Sequence, residues 1–380
     1  MKKVALIPVF SSEKLMNKNV LMLEGKLVAG YSIEAALATK CFERIIVITD
    51  KQQYQDALNT YPIDVFQVEK PICSVQALLT IWQQLDPKAK QNDYAVILMP
   101  ETPLRTTKQI VQCCQLFEQQ ETDYLYSIDP KKQENHSIYL YRLPFNTLNK
   151  LANIQTYMMD KEGSLFIEDS FEYEWVKAIL QLRIKNQTSL LNVQRRIREK
   201  SKDFNRISDI TLVGHSLWDY WQIEQLNNIE VNNLGIGGIT TQQYVELILQ
   251  KQLIKGLGKD TLIFLGINEM FRVGWRAEDT LYWLDQAIQY LRKINAESRL
   301  YLMEVSYVAF KREVNSKMID DFNQQLRDYF SDKNITLVDV NSVLQDQYHQ
   351  LDLAFTSDGL HFNPIGYKKL ATLLQTVLFN

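Results

Sequence analysis

The stretch "DITLVGHSLWDYW", residues 209–221, places a serine directly after an apolar run and before a helical period. The run Asp209–Gly214 predicts a buried strand, and Ser216 stands where that strand turns into a helix. Two interpretations are open at this point. Serine after glycine is common turn chemistry, and the same position suits a nucleophile.

Four more strand-like runs follow in the second half: "IEVNNLG", "TLIFLG", "RLYLMEV" and "ITLVDV", each followed by a plausible helix. This alternation predicts a parallel sheet covered by helices, and such folds carry their sites at the carboxyl ends of the strands. Candidate groups stand at those ends. They are Gly238 in "NNLGIGGITT", Asn268 in "FLGINEM", and Asp358 and His361 in "SDGLHFNPIGY".

Acyl transfer needs a nucleophile, a base, a group that orients the base, and donors for an oxyanion. Each candidate also has a structural alternative: Gly238 suits a tight turn, Asn268 a helix cap, and His361 the start of a helix. Asn363 and Pro364 predict the first residues of a helix. The remaining histidines outside the motifs, His136 and His349, are interpreted as surface residues. The order and spacing of the candidates favour a catalytic site.

The blocks "GHSL", "NLGIGGITT", "GINE" and "DGLH" resemble the four blocks of the SGNH (GDSL-type) hydrolases. The resemblance implies that Ser216 is the nucleophile, and that His361 is the general base, held by Asp358. It implies an oxyanion hole formed by the Ser216 N–H, the Gly238 N–H and the Asn268 side chain, with no metal or cofactor.

This sequence departs from the SGNH pattern at two positions. His215 replaces the usual Asp before the serine, and Glu269 replaces the usual Asp after the asparagine. Neither change removes a catalytic group, although a histidine beside the serine alters the local electrostatics.

The first half is a second α/β region, with strand-like runs "KVALIPVF", "RIIVITD" and "YAVILMP" and helical periods between them. We predict domains at 1–185 and 207–380 with a linker at 186–206. The basic stretch at 195–202 within that linker is interpreted as a solvated helix face without a function.

The segments "MNKNVLML", "YSIEAAL", "FERIIVITD" and "PETPLR" resemble the acylneuraminate (CMP-sialic acid) cytidylyltransferases. With the SGNH half behind it, the whole chain resembles bacterial bifunctional proteins that join this enzyme to a sialic acid O-acetylesterase. The resemblance implies an α/β fold in two domains: a nucleotidyltransferase-like (Rossmann-like) parallel sheet, then a flavodoxin-like three-layer α/β/α hydrolase.

The nucleotide site implied by that resemblance lacks several parts. Phe10 stands where the family has an Arg, the loop glycines are absent, and Glu13 adds a negative charge, although Lys14 and Lys18 remain. The family's Asp-Ile-Asp metal pair corresponds to the segment 166–168, "FIE".

Met99 stands where the family usually has a base-contacting Gln, and a long segment between "SIDP" and "NHSIYLY" is missing. Nucleotidyl transfer needs cations and Mg²⁺ to neutralise the charge at both ends of the triphosphate. Because these groups are lost, we predict a degenerate, inactive cytidylyltransferase domain. Mg²⁺ is expected only if that domain is active.

The net charge of −3 gives no reason to expect nucleic acid or an anionic membrane as a partner. The cysteines, Cys41, Cys73, Cys113 and Cys114, form neither a disulfide framework nor a zinc pattern. "MKKVALIPVF" is too short an apolar run for a signal peptide and contains a proline, so we predict a first strand and a reduced, cytoplasmic protein.

The leading hypothesis is a serine O-acetylesterase for O-acetylated sialic acid or a related acyl sugar. Alternatives are a sugar O-acyltransferase, a still-active bifunctional synthetase and esterase, and a non-catalytic partner of an active synthetase. The expected partner is a small acylated sugar, with a homodimer or pairing with a synthetase as further expectations.

Overall fold

The computed structural model describes residues 1–72, 74–87, 89–90, 92–143, 153–311 and 313–379. Cys73 therefore lies outside the described residues. The chain divides into two compact units, Met1–Lys185 and Asn186–Asn380, which we call the N-terminal and C-terminal units. Among the described residues, no helix has both the length and the apolar character needed to cross a membrane.

The N-terminal unit alternates strands and helices over most of its length. Its elements are β1 (Lys3–Val9), β2 (Met22–Leu23), β3 (Lys26–Leu27), α1 (Val28–Thr39), β4 (Arg44–Thr49), α2 (Gln52–Leu58), β5 (Asp64–Gln67), α3 (Val75–Leu85), β6 (Tyr94–Leu98), α4 (Thr107–Gln119), β7 (Tyr124–Ile128), β8 (Glu134–Arg142) and β9 (Ile154–Met158).

The main sheet of this unit has the order β5-β4-β1-β6-β8-β7-β9. It is parallel except for β8, which runs antiparallel to both of its neighbours. The reason is the short connection after β7, in which Asp129 N donates to Gln133 O at 2.8 Å. A tight turn can join only antiparallel strands, whereas a parallel pair needs a long crossover.

Helix α5 (Ser170–Glu199) continues across the boundary between the units, and a 3₁₀ turn (Asp203–Asn205) follows it. Residues 186–206, predicted as a linker, are thus mostly helical. Val193, Ile197 and Phe204 are buried in the core of the C-terminal unit. The segment belongs to that unit because its apolar residues recur at helical spacing and have a core to pack against.

The C-terminal unit has the predicted strands and a helix or turn after each. Its elements are β10 (Ile210–Gly214), α6 (Ser216–Asp219), β11 (Gln225–Leu226), β12 (Ile229–Gly235), α7 (Thr241–Tyr244), β13 (Asp260–Phe264), α8 (Ile267–Met270), α9 (Ala277–Ile294), β14 (Arg299–Met303), α10 (Ser316–Phe330), β15 (Thr336–Val338), α11 (Asn341–Leu344) and α12 (Pro364–Phe379).

Its sheet has the order β11-β12-β10-β13-β14-β15, and only the short hairpin strand β11 is antiparallel. Every residue of β10 and β13 is buried, as expected for central strands with both faces covered. Gly214 pairs with Gly235 on one side and with Phe264 on the other. Three strands therefore end side by side, and the predicted α/β fold class in two domains is confirmed.

Candidate active site

The structure brings Ser216, His361 and Asp358 together, although 145 positions separate the serine from the histidine. His361 Nε2 lies 2.9 Å from Ser216 Oγ, and His361 Nδ1 lies 2.6 Å from an Asp358 carboxylate oxygen. The carboxylate accepts the Nδ1–H, which leaves Nε2 as the acceptor for the serine proton. This is the geometry that a serine nucleophile needs.

The turn at 356–361 fixes the acid and the base. Asp358 accepts backbone hydrogen bonds from Leu360 at 2.9 Å and His361 at 2.8 Å. Burial opposes its charge, but these bonds and the His361 ring hold the pKa of Asp358 well below its usual value. Gly359 has a φ of +79°, and a Cβ there would meet the Ala309 carbonyl, so the turn requires glycine.

Asn363 caps α12 as predicted. Its side-chain oxygen accepts from the backbone N–H of Ile365 and of Gly366, both at 3.0 Å. Pro364 is the first helical residue. The cap places α12 directly after His361, and the Tyr367 hydroxyl donates to the Leu217 carbonyl at 2.9 Å. This bond connects α12, which follows His361, to α6, which begins at Ser216.

His215, which replaces the SGNH family's Asp, is fully buried as the N-cap of α6. Its Nδ1 accepts from the Leu217 backbone N–H at 3.3 Å, and its ring lies 5.2 Å from the Phe264 ring. Burial, and then the charge of His361, lowers the pKa of His215 to about 3. The residue before the serine is therefore neutral at physiological pH, where the family carries a carboxylate.

The donors predicted for an oxyanion follow the ends of β12 and β13, the two strands that flank β10. Gly238 has a φ of +74° with open space around its Cα, and Asn268 Nδ2 donates to the Ile239 carbonyl at 2.8 Å. One hydrogen of that amide is used in this bond and the other is free. Within the described residues, the backbone N–H groups of Ser216 and Gly238 make no hydrogen bond.

Glu269, the second departure from the SGNH pattern, is buried in the same region. Its carboxylate accepts from the Thr241 backbone N–H at the start of α7, and burial raises the pKa of Glu269. Asn268 and Glu269 thus bind the loop between β12 and α7 at Ile239 and Thr241. Glu269 thus supplies a carboxyl acceptor at the start of α7.

Asp219 was not predicted as a site residue, but it holds the other side of the same loop. Its carboxylate accepts from Gly237 N at 2.7 Å and binds Arg196 at 2.8 Å and Lys200 at 3.0 Å. Lys200 is itself buried. The interpretation of this basic stretch as a solvated face is therefore wrong for Lys200, whereas the side chain of Arg196 remains 38% exposed while it pairs with the buried carboxylate.

In the N-terminal unit, the side chains at the nucleotide-site positions line a cavity of about 420 Å³. Phe10, Lys18, Met99 and Phe166 contribute to its wall. The Lys18 ammonium lies 3.4 Å from the Glu101 carboxylate and 5.4 Å from the centre of the Phe166 ring. The cavity is thus lined by two phenylalanine rings at family positions and by a cation that is already paired.

The other groups that would meet a metal-bound triphosphate are also unsuited to it. Lys14 forms an ion pair with Glu168, the one carboxylate remaining at the metal position, and Glu13 is exposed nearby in sequence. The described residues contain no group of three or more acidic, histidine or cysteine side chains placed to hold a metal ion. The residues at this site do not fit Mg²⁺ and a triphosphate. The lysines that would bind phosphate, Lys14 and Lys18, are already paired with the carboxylates of Glu168 and Glu101.

Both histidines interpreted as surface residues are exposed. The centre of the His349 ring lies 6.2 Å from the centre of the Tyr307 ring. His136 Nδ1 lies 2.6 Å from the Tyr139 hydroxyl, and the ring of His136 lines the cavity of the N-terminal unit.

Comparison with known families matches both halves. The family described as "GDSL-like Lipase/Acylhydrolase family" matches residues 213–369, and the family described as "Cytidylyltransferase" matches residues 4–158. The C-terminal unit is thus a hydrolase domain of the GDSL type, and the first half is a cytidylyltransferase-like domain.

Among solved structures, a putative platelet activating factor from Streptococcus pneumonia is 20% identical, with a TM-score of 0.47 over 53% of this chain and 99% of that one. The CMP:2-keto-3-deoxy-manno-octonic acid synthetase complexed with CTP is 16% identical, with a TM-score of 0.40 over 48% of this chain and 100% of that one.

Relatives cover the full chain. The N-acylneuraminate cytidylyltransferase of Escherichia coli O18:K1:H7 is 34% identical over 99% of both chains. The protein of the same name from Streptococcus agalactiae serotype V is 23% identical over 95% of both. This chain therefore belongs to the family of N-acylneuraminate cytidylyltransferases, and in it a GDSL-like acylhydrolase domain follows the cytidylyltransferase domain.

Proposed function

We propose that the protein is a serine O-acetylesterase that removes O-acetyl groups from a sialic acid or a related acyl sugar. The observation that carries the proposal is the continuous hydrogen-bonded series from Ser216 Oγ through the His361 ring to Asp358. The sugar class is supported by the name of the relatives, N-acylneuraminate cytidylyltransferase, whose similarity extends over both domains.

In the proposed reaction, Ser216 Oγ attacks the acetyl carbonyl carbon while His361 Nε2 takes the hydroxyl proton. Negative charge then develops on the carbonyl oxygen, where the N–H groups of Ser216 and Gly238 and the free hydrogen of Asn268 donate to it. As the carbon–oxygen bond to the sugar breaks, His361 returns the proton to the departing sugar oxygen. Water, deprotonated by the same imidazole, hydrolyses the acetyl-serine and releases acetate.

The cytidylyltransferase-like domain is proposed to be catalytically inactive and to serve as a scaffold or sugar-recruiting module. A working site would present unpaired cations to the phosphates and carboxylates to Mg²⁺. In this chain, Lys14 is paired with Glu168, and Lys18 with Glu101. Phe10 and Phe166 add apolar surface where the family has an Arg and a metal ligand.

A hydrolysis screen of the purified full-length protein tests the esterase proposal. The substrates are O-acetylated N-acetylneuraminic acids and p-nitrophenyl acetate, with acetate release as the readout and Ser216→Ala as the matched control. Release of acetate by the wild type alone supports the proposal. Absence of release from every ester overturns it, and transfer of acetyl to an added sugar in preference to water would identify an O-acyltransferase instead.

A further inference from the structure

The C-terminal unit has a cavity of about 590 Å³ that begins one aromatic ring away from the candidate base. Tyr220 lines this cavity, and the centre of its ring lies 4.8 Å from the centre of the His361 ring. Phe362, the residue after His361, lines it as well. The cavity therefore adjoins the side of the site that carries the imidazole.

The chemistry of ester cleavage assigns this side to the sugar. An ester with its carbonyl oxygen at the oxyanion donors must direct its alkoxy oxygen towards His361, because that imidazole returns the proton to it. A separate cavity of about 240 Å³, lined in part by Thr240, Glu269 and Arg272, lies beside the oxyanion donors instead. The larger cavity is the one that the alcohol part of the ester can enter.

The wall of the larger cavity combines aromatic surface with uncommitted amides. Trp221 and Tyr367 stack with ring centres 5.5 Å apart, while the Tyr220 ring is half exposed. Four amide side chains also line the cavity, and within the described residues none of them makes a hydrogen bond: Gln222, Gln225, Asn227 and Gln375. Aromatic faces and free amides are the groups that bind the rings, hydroxyls and N-acyl groups of sugars.

The charged side chains that line this cavity are all positive. Lys368, on α12, lines the cavity, and no Asp or Glu does so. In the part of the chain that the structure describes, the Lys368 ammonium makes neither an ion pair nor a hydrogen bond, and the side chain is exposed. An unpaired ammonium in a site without acidic side chains favours an anionic ligand.

We propose that this cavity is the subsite for an acidic acyl sugar, with the Lys368 ammonium bound to the sugar carboxylate and Tyr220 packed against the ring beside His361. The inference rests on the proposed esterase function and adds to it the residue that selects acidic over neutral substrates. Lys368 is a specificity residue and takes no part in bond breaking.

The test compares three substrates: O-acetylated N-acetylneuraminic acid, the uncharged methyl ester of its carboxylate, and p-nitrophenyl acetate. Lys368→Gln should raise KM for the acid roughly tenfold, as expected for the loss of one hydrogen bond to a charged group. It should leave kcat/KM for the methyl ester and for p-nitrophenyl acetate unchanged. Lys368→Arg should retain most of the preference for the acid.

Arg272→Gln is the matched control, because Arg272 is an exposed cation that lines the cavity on the oxyanion side. If Arg272→Gln rather than Lys368→Gln removes the preference for the acid, or if neither does, the subsite assignment is overturned while esterase activity stands. If the wild type cleaves no ester, the proposed function fails first, and the subsite with it.

Discussion

The carboxylate of Asp219 accepts a hydrogen bond from the backbone N–H of Gly237 at 2.7 Å, one residue before Gly238. Burial opposes the charge of Asp219, but hydrogen bonds and ion pairs with Arg196 and Lys200 lower its pKa. A buried, ion-paired carboxylate therefore holds the loop that contains Gly238, the proposed oxyanion donor. The cations that neutralise it come from α5 and the turn that follows it.

We expect Asp219→Asn to lower kcat by on the order of tenfold to a hundredfold with little change in KM, because the loop donor acts on charge that develops in the transition state. The control is Asp260→Asn. Asp260 is also a buried carboxylate bound by an arginine, Arg299, but it begins β13, at the strand end opposite the site. Steady-state kinetics and thermal unfolding of both variants separate the effects. An equal loss of kcat in both would show that Asp219 acts only through stability.

Ser216→Ala should abolish ester hydrolysis, with a loss of about 10⁶ in kcat, and should not unfold the protein. Within the described residues, the serine hydroxyl hydrogen-bonds only to His361, so its removal leaves no other buried group there unpaired. A fluorophosphonate probe should label the wild type once and the variant not at all, as read by intact mass. Residual activity above a few per cent would assign the nucleophile to another residue.

Asn268→Ala should lower kcat by about 10² to 10³ and change KM little, since we propose that the free amide hydrogen donates to the oxyanion. The neighbouring variant Glu269→Gln keeps an acceptor for the Thr241 N–H and should stay within a few-fold of wild type. The test compares kcat of the two variants with p-nitrophenyl acetate as the substrate. An Asn268→Ala enzyme with wild-type kcat would exclude this residue from the oxyanion hole.

The buried His215 should make stability depend on pH. Its pKa in the folded protein is about 3, and the ordinary value near 6.5 applies in the unfolded chain. Between these values the unfolded state binds the additional proton, so the free energy of unfolding falls as the pH falls, by up to about 1.4 kcal/mol per pH unit. Above about pH 7 the contribution is constant.

His215→Asn keeps an acceptor for the Leu217 N–H and should flatten this dependence between pH 4.5 and 6.5. Urea unfolding is followed by tryptophan fluorescence, because four of the six tryptophans, Trp218, Trp221, Trp275 and Trp283, lie in the C-terminal unit that contains His215. The control is the exposed His349→Asn. A slope that persists in His215→Asn would mean that another buried group carries the pH dependence.

Incubated with CTP, Mg²⁺ and N-acetylneuraminic acid, the protein should form no CMP-sugar above background, and titration calorimetry should show no Mg²⁺-dependent heat of CTP binding. The reason is electrostatic, because Lys14 and Lys18 are neutralised by Glu168 and Glu101. Restoring the two family residues in Phe10→Arg/Phe166→Asp should not recover turnover, since the loop glycines and the missing segment remain absent. CMP-sugar from the wild type would make the protein a working bifunctional enzyme.

The sequence predicts the fold well where the signal is local. The predicted strand "DITLVG" is β10, "IEVNNLG" is β12, and the "DGLH" block forms the turn that carries Asp358 and His361. Apolar runs, caps and turn glycines act over a few residues, so their outcome follows from spacing alone. The antiparallel β8 was not predicted, because the five-residue turn before it has no strong signal such as Asn-Gly.

By itself, the sequence determined the two α/β halves, the order of the four blocks and the candidate residues Ser216, Gly238, Asn268, Asp358 and His361. Only the tertiary structure decided that Arg196 and Lys200 pair with Asp219 and that Lys14 neutralises Glu168. It also decided that Lys368 has no ionic partner among the residues that the structure describes, in a cavity that Tyr220 separates from His361. The physical reason is the range of the interactions. Strands and turns form from neighbours in sequence, whereas a charged side chain finds its partner, or remains without one, only when distant segments pack together and remove water around it.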